Sequence, residues 1–186
     1  MAEGRYLGKV PQGVGTSRAL SLDEMLIAIV ADTHLPRGSR AIPEACLERV
    51  RAADLMLHAG DLSTTEVLDN LRALGPPVAA VHGNIDSADL RRVLPERQVV
   101  DAAGARIGIV HDAGPATGRL RRMRLAFPEC DAVVFGHSHI PLHEEEGGFQ
   151  IFNPGSPTDR RRQPRHSMGV AQVVGGRVRF EHIWLD

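Results

Sequence analysis

Cysteine is almost missing from this chain: Cys46 and Cys130 are the only two in 186 residues, and they form no CxxC pair. A disulfide-stapled fold and a thiolate zinc site are thereby excluded, and two inert buried thiols in a reducing cytosol are expected. Lysine is scarcer still. Lys9 is the single one, so positive charge rests on arginine, a bias that genomic base composition explains. Neither sign of charge dominates: 22 basic and 23 acidic residues leave a formal net charge of -1 at pH 7. Nothing global therefore recruits nucleic acid or an anionic membrane. A phosphorylated ligand is not excluded, because it needs only local positive charge, which metal ions can supply. Long hydrophobic runs are also lacking. The longest, residues 25–31, is too short to span a bilayer and follows Asp23 and Glu24 instead of a basic segment, so it makes neither an anchor nor a signal peptide. The expectation is a cytoplasmic protein.

What is present is ordinary for a globular protein, 42% hydrophobic and 24% charged, and the length suits one domain with a real core. Residues 1–24 are rich in glycine and polar residues without a period and are expected to form a disordered leader. The domain is expected over residues 25–186, with Met25 as an alternative start to Met1. From there short apolar runs alternate with helix-like segments. Strands are expected at 26–31, 54–59 and 77–81, and a helix at 43–51 with Pro43 near its first turn. A second helix is expected to run to Ala73 with Ser63 as its cap, since Glu66 three residues on completes a capping box. After Pro95 the pattern changes. Residues 98–102 and 106–110 flank a Gly104 turn as a hairpin, 117–127 reads as a basic helix and 132–135 as a strand. The remainder alternates strands with Gly-Gly turns, at 142–146, 149–152, 167–174 and 177–184. The acidic run 144–146 fits an edge strand protected by charge. Two βαβ units followed by an antiparallel meander predict an α/β protein in which two packed sheets carry helices outside.

The chemistry lies where the apolar strands end. The first runs into Asp32-Thr33-His34, the second into Gly60-Asp61, the third into Gly83-Asn84-Ile85-Asp86. The second hairpin strand runs into His111-Asp112, and the next strand into Gly136-His137-Ser138-His139. In an open α/β sheet such junctions gather at the carboxyl edge, where ligands bind. Asp, His and Asn without Cys make a mixed N/O donor set suited to Mn, Fe, Zn, Ni or Co. Gly60, Gly83 and Gly136 each precede a candidate ligand, at positions where unusual backbone angles or close approach are expected. Taken singly the residues mean little: Asp32 reads as a cap or turn residue, His34 as a loop histidine, Gly83-Asn84 as a turn. Their conjunction, each after its own strand, is what carries weight. His58 and His82, one step before motif glycines, read better as strand-end packing, and Ser138 and Ser156 as loop-shaping residues.

As a set, D-T-H at 32–34, G-D at 60–61, G-N-I-D at 83–86, His111, G-H-S-H at 136–139 and N-P-G-S at 153–156 resemble the motifs of the calcineurin-like metallophosphoesterases. More narrowly they resemble the small bacterial and archaeal YfcE-type phosphodiesterases, to which the eukaryotic retromer subunit Vps29 is also similar. The resemblance runs from residue 25 to about 184. It implies a four-layer αββα sandwich. It implies one metal on Asp32, His34, Asp61 and His139, and a second on Asp61, Asn84, His111 and His137, with Asp61 bridging. Two divalent ions, Mn foremost and Fe, Zn, Ni or Co as alternatives, would activate a shared water for hydrolysis of a small phosphate ester, a diester first. Asp61, Asn84 and His111 would carry the catalytic work. Asn84 could also touch the phosphate, and so could Arg160 and Arg162, which follow the N-P-G-S loop. The stretch 119–124, by contrast, reads as a solvated helix face. Two positions depart from the family: Asp112 stands where Gly is usual, and Ile85-Asp86 follow Gly-Asn where the protein-phosphatase branch has His. The rival expectations are a Vps29-like scaffold that binds metal without turnover, a phosphomonoesterase or nucleotide hydrolase on the same residues, and a purely structural protein. The late hairpins offer a surface for a homo-oligomer.

Overall fold

The computed structural model describes residues 24–185. The expected leader, residues 1–24, lies outside them except for Glu24, which opens the first strand. The elements follow in the order β1 (Glu24–Val30), α1 (Glu44–Arg51), β2 (Leu55–His58), α2 (Thr65–Arg72), β3 (Val78–Ala80), α3 (Ala88–Val93), β4 (Arg97–Ala102), β5 (Ala105–Val110), α4 (Arg119–Ala126), β6 (Ala132–Val134), β7 (Leu142–Glu146), β8 (Phe149–Asn153), β9 (Ser167–Val174) and β10 (Arg177–Trp184). They build two five-stranded sheets, ordered β10-β9-β1-β2-β3 and β4-β5-β6-β8-β7. Within the first, β1, β2 and β3 are parallel and β9 and β10 antiparallel additions; within the second, β5, β6 and β8 are parallel.

The layers follow from the two-residue period of a strand. Ile27, Ile29 and Ala31 along β1 and just beyond it face inward and meet Ile107, Ile109, Val134 and Phe152 of the other sheet. Ala28 and Val30, between them, face outward and pack with Cys46 and Val50 of α1, Leu68 and Leu71 of α2 and Leu90 of α3. The second sheet repeats this on its outer face, where Val133 and Ile151 meet Met123 of α4 and Phe127. The result is the αββα sandwich. Among the described residues no helix is long and apolar enough to cross a membrane.

Three local expectations give way. The late strands do not form one meander: the β7–β8 hairpin stays in the second sheet, with β8 parallel to β6, and the β9–β10 hairpin joins the first beside β1. A period of two fixes which side chains face a core but not which sheet receives the strand. The cap of α2 is Thr64, not Ser63, and no side-chain hydrogen bond caps it. The Ser63 N–H is taken by Asp86 Oδ1 at 2.6 Å instead, and Ser63 sits at φ +99°. Helix α3 was unforeseen; at six residues it shows no period, and its one signal is the Ser87 hydroxyl accepting from the Leu90 N–H at 3.2 Å. The acidic run does lie on an edge strand, β7, with Glu144, Glu145 and Glu146 exposed.

Candidate metal centre

The parallel strands of both sheets deliver their carboxyl ends to one place, and the pairing outlasts the strands. The Asp32 N–H donates to the Gly60 carbonyl at 3.0 Å and the His34 N–H to the Asp61 carbonyl at 3.0 Å, while the Gly136 N–H donates to the His111 carbonyl at 2.9 Å. Successive loops are thereby locked side by side. Five of the seven candidate ligands bend their backbone into the left-handed region: Asp32 (φ 55°), His34 (48°), Asp61 (60°), His137 (67°) and His139 (58°). Each such non-glycine residue costs about 1–3 kcal/mol and persists only where its surroundings enforce it, most often at functional sites. Glycine is needed where the loops crowd. A Cβ on Gly60, at φ +88°, would lie 2.7 Å from His111 Nδ1, and one on Gly83 would collide with the Asp61 carboxylate.

All seven candidate ligands come together, in two overlapping sets. In the first, His34 Nε2 lies 3.2 Å from His139 Nε2, 3.8 Å from Asp32 Oδ1 and 3.6 Å from Asp61 Oδ2, and His139 Nε2 lies 3.5 Å from Asp32 Oδ1. In the second, His111 Nε2 is 3.4 Å from Asp61 Oδ2, 3.0 Å from Asn84 Oδ1 and 3.3 Å from His137 Nδ1, with His137 Nδ1 3.0 Å from Asn84 Oδ1. One oxygen, Asp61 Oδ2, thus faces both sets. Asp32 stands close to both as well: donor atoms of Asp32, His34 and His139 lie within 4.8 Å of one another, and so do those of Asp32, Asp61 and His111. The first set is buried throughout, whereas Asn84 and His137 of the second are exposed, so the second set forms the open side.

The protonation pattern suits cations. His111 Nδ1 is 2.8 Å from the Ala59 carbonyl and His139 Nδ1 2.5 Å from the Asp159 carbonyl. A carbonyl can only accept, so each Nδ1 carries the proton and each Nε2 turns a lone pair to the centre. Asp32 Oδ2 is buried without a hydrogen-bond partner among the described residues. Burial pushes the Asp32 carboxyl up to about 8, opposed by the His111 charge and aided by that of Asp61. Burial also holds His34 below its ordinary value and His139 down at about 4. Burial works to raise Asp61, but its contact with His111 and the Ile85 N–H outweigh it and leave it lowered; burial works to lower His111, and Asp61 outweighs it. Bonds of about 2.0–2.2 Å to a divalent ion put neighbouring donors roughly 3–3.5 Å apart, the spacing found here. An orphaned buried carboxylate oxygen and bare ring nitrogens at that spacing fit divalent metal.

Residues that bind nothing themselves hold the ligands. Asp86, whose role the sequence left open, accepts the N–H groups of Asp61 (3.1 Å), Ser63 (2.6 Å) and Gly83 (2.7 Å). Asn153 Nδ2 donates to the Gly136 carbonyl at 2.8 Å, the Ser156 hydroxyl to the Asp32 carbonyl at 2.8 Å, and the Thr158 hydroxyl to the Thr33 carbonyl at 2.6 Å. Of these, Thr158 and Asp159 carry no sequence signal beyond following N-P-G-S. Asp112 is exposed and turned into its own loop, where Oδ1 accepts the Gly114 N–H at 2.7 Å. His58 is fully buried with Nε2 3.2 Å from the Thr33 hydroxyl. Arg119 and Arg122, expected on a solvated face, instead donate to the carbonyls of Gly114 and Ala113. Arg160 and Arg162 are exposed; Arg160 donates to the Gln163 carbonyl at 2.6 Å. A cavity of about 200 Å³ lined by His82, Asn84, Arg91, Glu96, His111 and Asp112 adjoins the second set. A larger apolar cavity of about 430 Å³ between α1 and α2 contains none of the candidate ligands.

Known proteins share this sequence pattern and fold. The profile of the calcineurin-like phosphoesterase superfamily domain matches residues 25–176. A probable metallophosphoesterase of Methanothermobacter thermautotrophicus is 35% identical over 162 residues, spanning 86% of this chain and 92% of the relative. Among solved structures, Vps29 of Entamoeba histolytica complexed with Zn²⁺ is 26% identical with a TM-score of 0.66, over 87% of this chain and 100% of that one. Vps29 of Cryptosporidium parvum shares the fold with a TM-score of 0.73 at 22% identity, over 87% of this chain and 98% of that one. On the profile match and the archaeal relative, the chain belongs to the calcineurin-like phosphoesterase superfamily.

Proposed function

We propose that this chain is a dinuclear metal-dependent phosphoesterase acting on small phosphodiesters. The observation that carries the reading is the shared oxygen: Asp61 Oδ2 lies 3.6 Å from His34 Nε2 and 3.4 Å from His111 Nε2, between two donor sets. Asp32, His34, Asp61 and His139 would hold one ion, and Asp61, Asn84, His111 and His137 the other. Mn²⁺ is the first candidate, with Fe, Zn, Ni and Co accepted by the same N/O donors; that the Entamoeba Vps29 was solved as a zinc complex supports metal binding by this fold. Two such ions supply Lewis acidity to phosphate oxygens and acidify water near neutral pH. The chain's own residues do the rest. Asn84 is neutral, so it binds without adding negative charge beside an anionic ester, and its exposed amide can donate to a phosphate oxygen. His111 and His139 are held as lone-pair donors by backbone carbonyls, and Asp86 keeps the Asp61 loop in place. The two free thiols, one buried under α1, suit a reducing cytosol.

The test is hydrolysis of bis-p-nitrophenyl phosphate with added Mn²⁺, wild type against Asp61→Ala. Metal-dependent turnover in the wild type, reduced at least about a thousandfold in the variant, is the expected result, since that variant removes the ligand common to both ions. Cleavage of p-nitrophenyl phosphate alone would make the protein a monoesterase. A folded protein that binds metal but cleaves neither substrate with Mn²⁺, Ni²⁺, Co²⁺ or Zn²⁺ would be a Vps29-like scaffold, the second reading favoured by the likeness to Vps29.

A further inference from the structure

The loop that follows β8 carries three arginines in a row, and the middle one pairs with the residue whose carbonyl meets a candidate ligand. Asp159 organises it. The Asp159 carbonyl accepts from His139 Nδ1 at 2.5 Å, while its carboxylate pairs with Arg40 Nη1 at 3.1 Å and Arg161 Nε at 3.4 Å. Arg161 is therefore one residue removed from the ring of a candidate ligand in the first set. Its backbone is forced to φ +51°, the left-handed conformation it shares with the candidate ligands themselves. Arg40 already satisfies the Asp159 carboxylate, and Arg161 reaches it through Nε alone. The two terminal nitrogens of Arg161 have no acceptor among the described residues, and its side chain is 58% exposed.

We propose that Arg161 is the phosphate-contacting residue of this site: a guanidinium fork beside the first ligand set that receives phosphate oxygens of the ester. The inference rests on the phosphoesterase reading for its role in turnover. A planar fork with two unspent donors matches the oxygens of a phosphate, which a lysine point charge does not. Two arginines around one carboxylate leave a surplus positive charge there. The cavity at the second set is less cationic: it carries Glu96 and Asp112 beside a single arginine, Arg91, which donates to the Asp86 and Asn84 carbonyls. Arg161 also lies near enough for its charge to act on Asp32, His34 and His139. Arg160 points one terminal nitrogen, Nη1, at the Gln163 carbonyl, whereas Arg161 pairs with Asp159.

The experiment is calorimetric titration of inorganic phosphate into the full chain loaded with Mn²⁺. It compares the wild type with Arg161→Ala, Arg161→Gly, Arg161→Lys and, as a charge control at the end of α2, Arg72→Ala. The expected result is phosphate affinity about tenfold weaker in Arg161→Ala and Arg161→Gly, the loss of one charge-assisted contact, with Mn²⁺ content and the Arg72→Ala affinity unchanged. Arg161→Lys should recover part of the loss. The KM for bis-p-nitrophenyl phosphate should rise in parallel while kcat holds. Wild-type affinity in Arg161→Ala overturns the proposal, as does an equal loss in Arg72→Ala or no phosphate binding by the wild type. Wild-type affinity in Arg161→Gly would assign the effect to the backbone, and a fall in Mn²⁺ content would assign it to His139; either overturns it. Phosphate binding that depends on Arg161 in a protein without turnover would sink the phosphoesterase reading and leave this site standing.

Discussion

Asp86 accepts three backbone N–H groups, from Asp61, Ser63 and Gly83, and so ties two candidate ligand loops to one carboxylate. Asp86→Asn keeps one acceptor and turns a donor toward the other N–H groups. Leaving a buried donor unmet costs about 1–3 kcal/mol, which urea denaturation should show, and loosening a ligand's support should weaken Mn²⁺ binding about 10–100-fold, measurable by calorimetry. His58 makes a different demand. Burial, aided by the His111 charge, pushes its imidazole down to about 3 from 6.5. The folded state therefore favours the neutral ring, and that stability is fully present above pH 6.5 and lost as pH falls toward 3. Wild-type denaturation midpoints should drop across that interval, and His58→Gln should flatten the drop; an unchanged slope would refute the assignment. Burial of His58 at its strand end was expected from the sequence, but the partners of both residues were not. Asp86 closes the G-N-I-D motif and His58 precedes the G-D motif, but a hydrogen bond to a residue 25 positions away leaves no trace in spacing.

Strands with their own turns were the most readable elements. The last hairpin was expected at 167–174 and 177–184 and occupies those residues, because Gly175-Gly176 and a two-residue period specify it locally. The short pieces around the centre were not. Ser63 satisfied the sequence rule for a cap, yet the Asp86 carboxylate outcompeted the helix for its N–H. The edge strand β7 was readable through its charge. Glu144, Glu145 and Glu146 lie exposed along the rim of the second sheet, where an unpaired edge invites another chain. Replacing the central charge, Glu145→Val, should promote self-association; light scattering against concentration would show a rising mass, and a strictly monomer-like profile matching the wild type would count against this account.

The candidate ligands come from both sheets: Asp32, His34, Asp61 and Asn84 from the first, His111, His137 and His139 from the second. A metal that joins them binds only the assembled sandwich, so it must stabilise the whole molecule. At a free concentration of 100 times Kd the gain is about 2.7 kcal/mol. Mn²⁺ should therefore raise the calorimetric melting temperature of the wild type by several degrees and leave Asp61→Ala nearly unmoved. Coordination at the surface would instead shift both proteins alike. The inter-sheet core that aligns the two halves is apolar, with Phe152 fully buried and stacked on Phe180 at 4.6 Å.

By itself the sequence determined the kinds of donor, their places at strand ends and the layered class of fold, because strand period and strand-end composition are local properties. The tertiary structure decided the rest. Which sheet took the last hairpin depended on a partner more than 100 residues away, as β1 is from β9. The left-handed turns at five candidate ligands follow from ladders between neighbouring loops, not from the residues' own preferences. The single oxygen of Asp61 that faces both donor sets is settled by the same long-range contacts. A local pattern can name the groups a strand carries to its end. Only the packing of one sheet on the other sets the distances, of 3 to 4 Å, at which those groups act together.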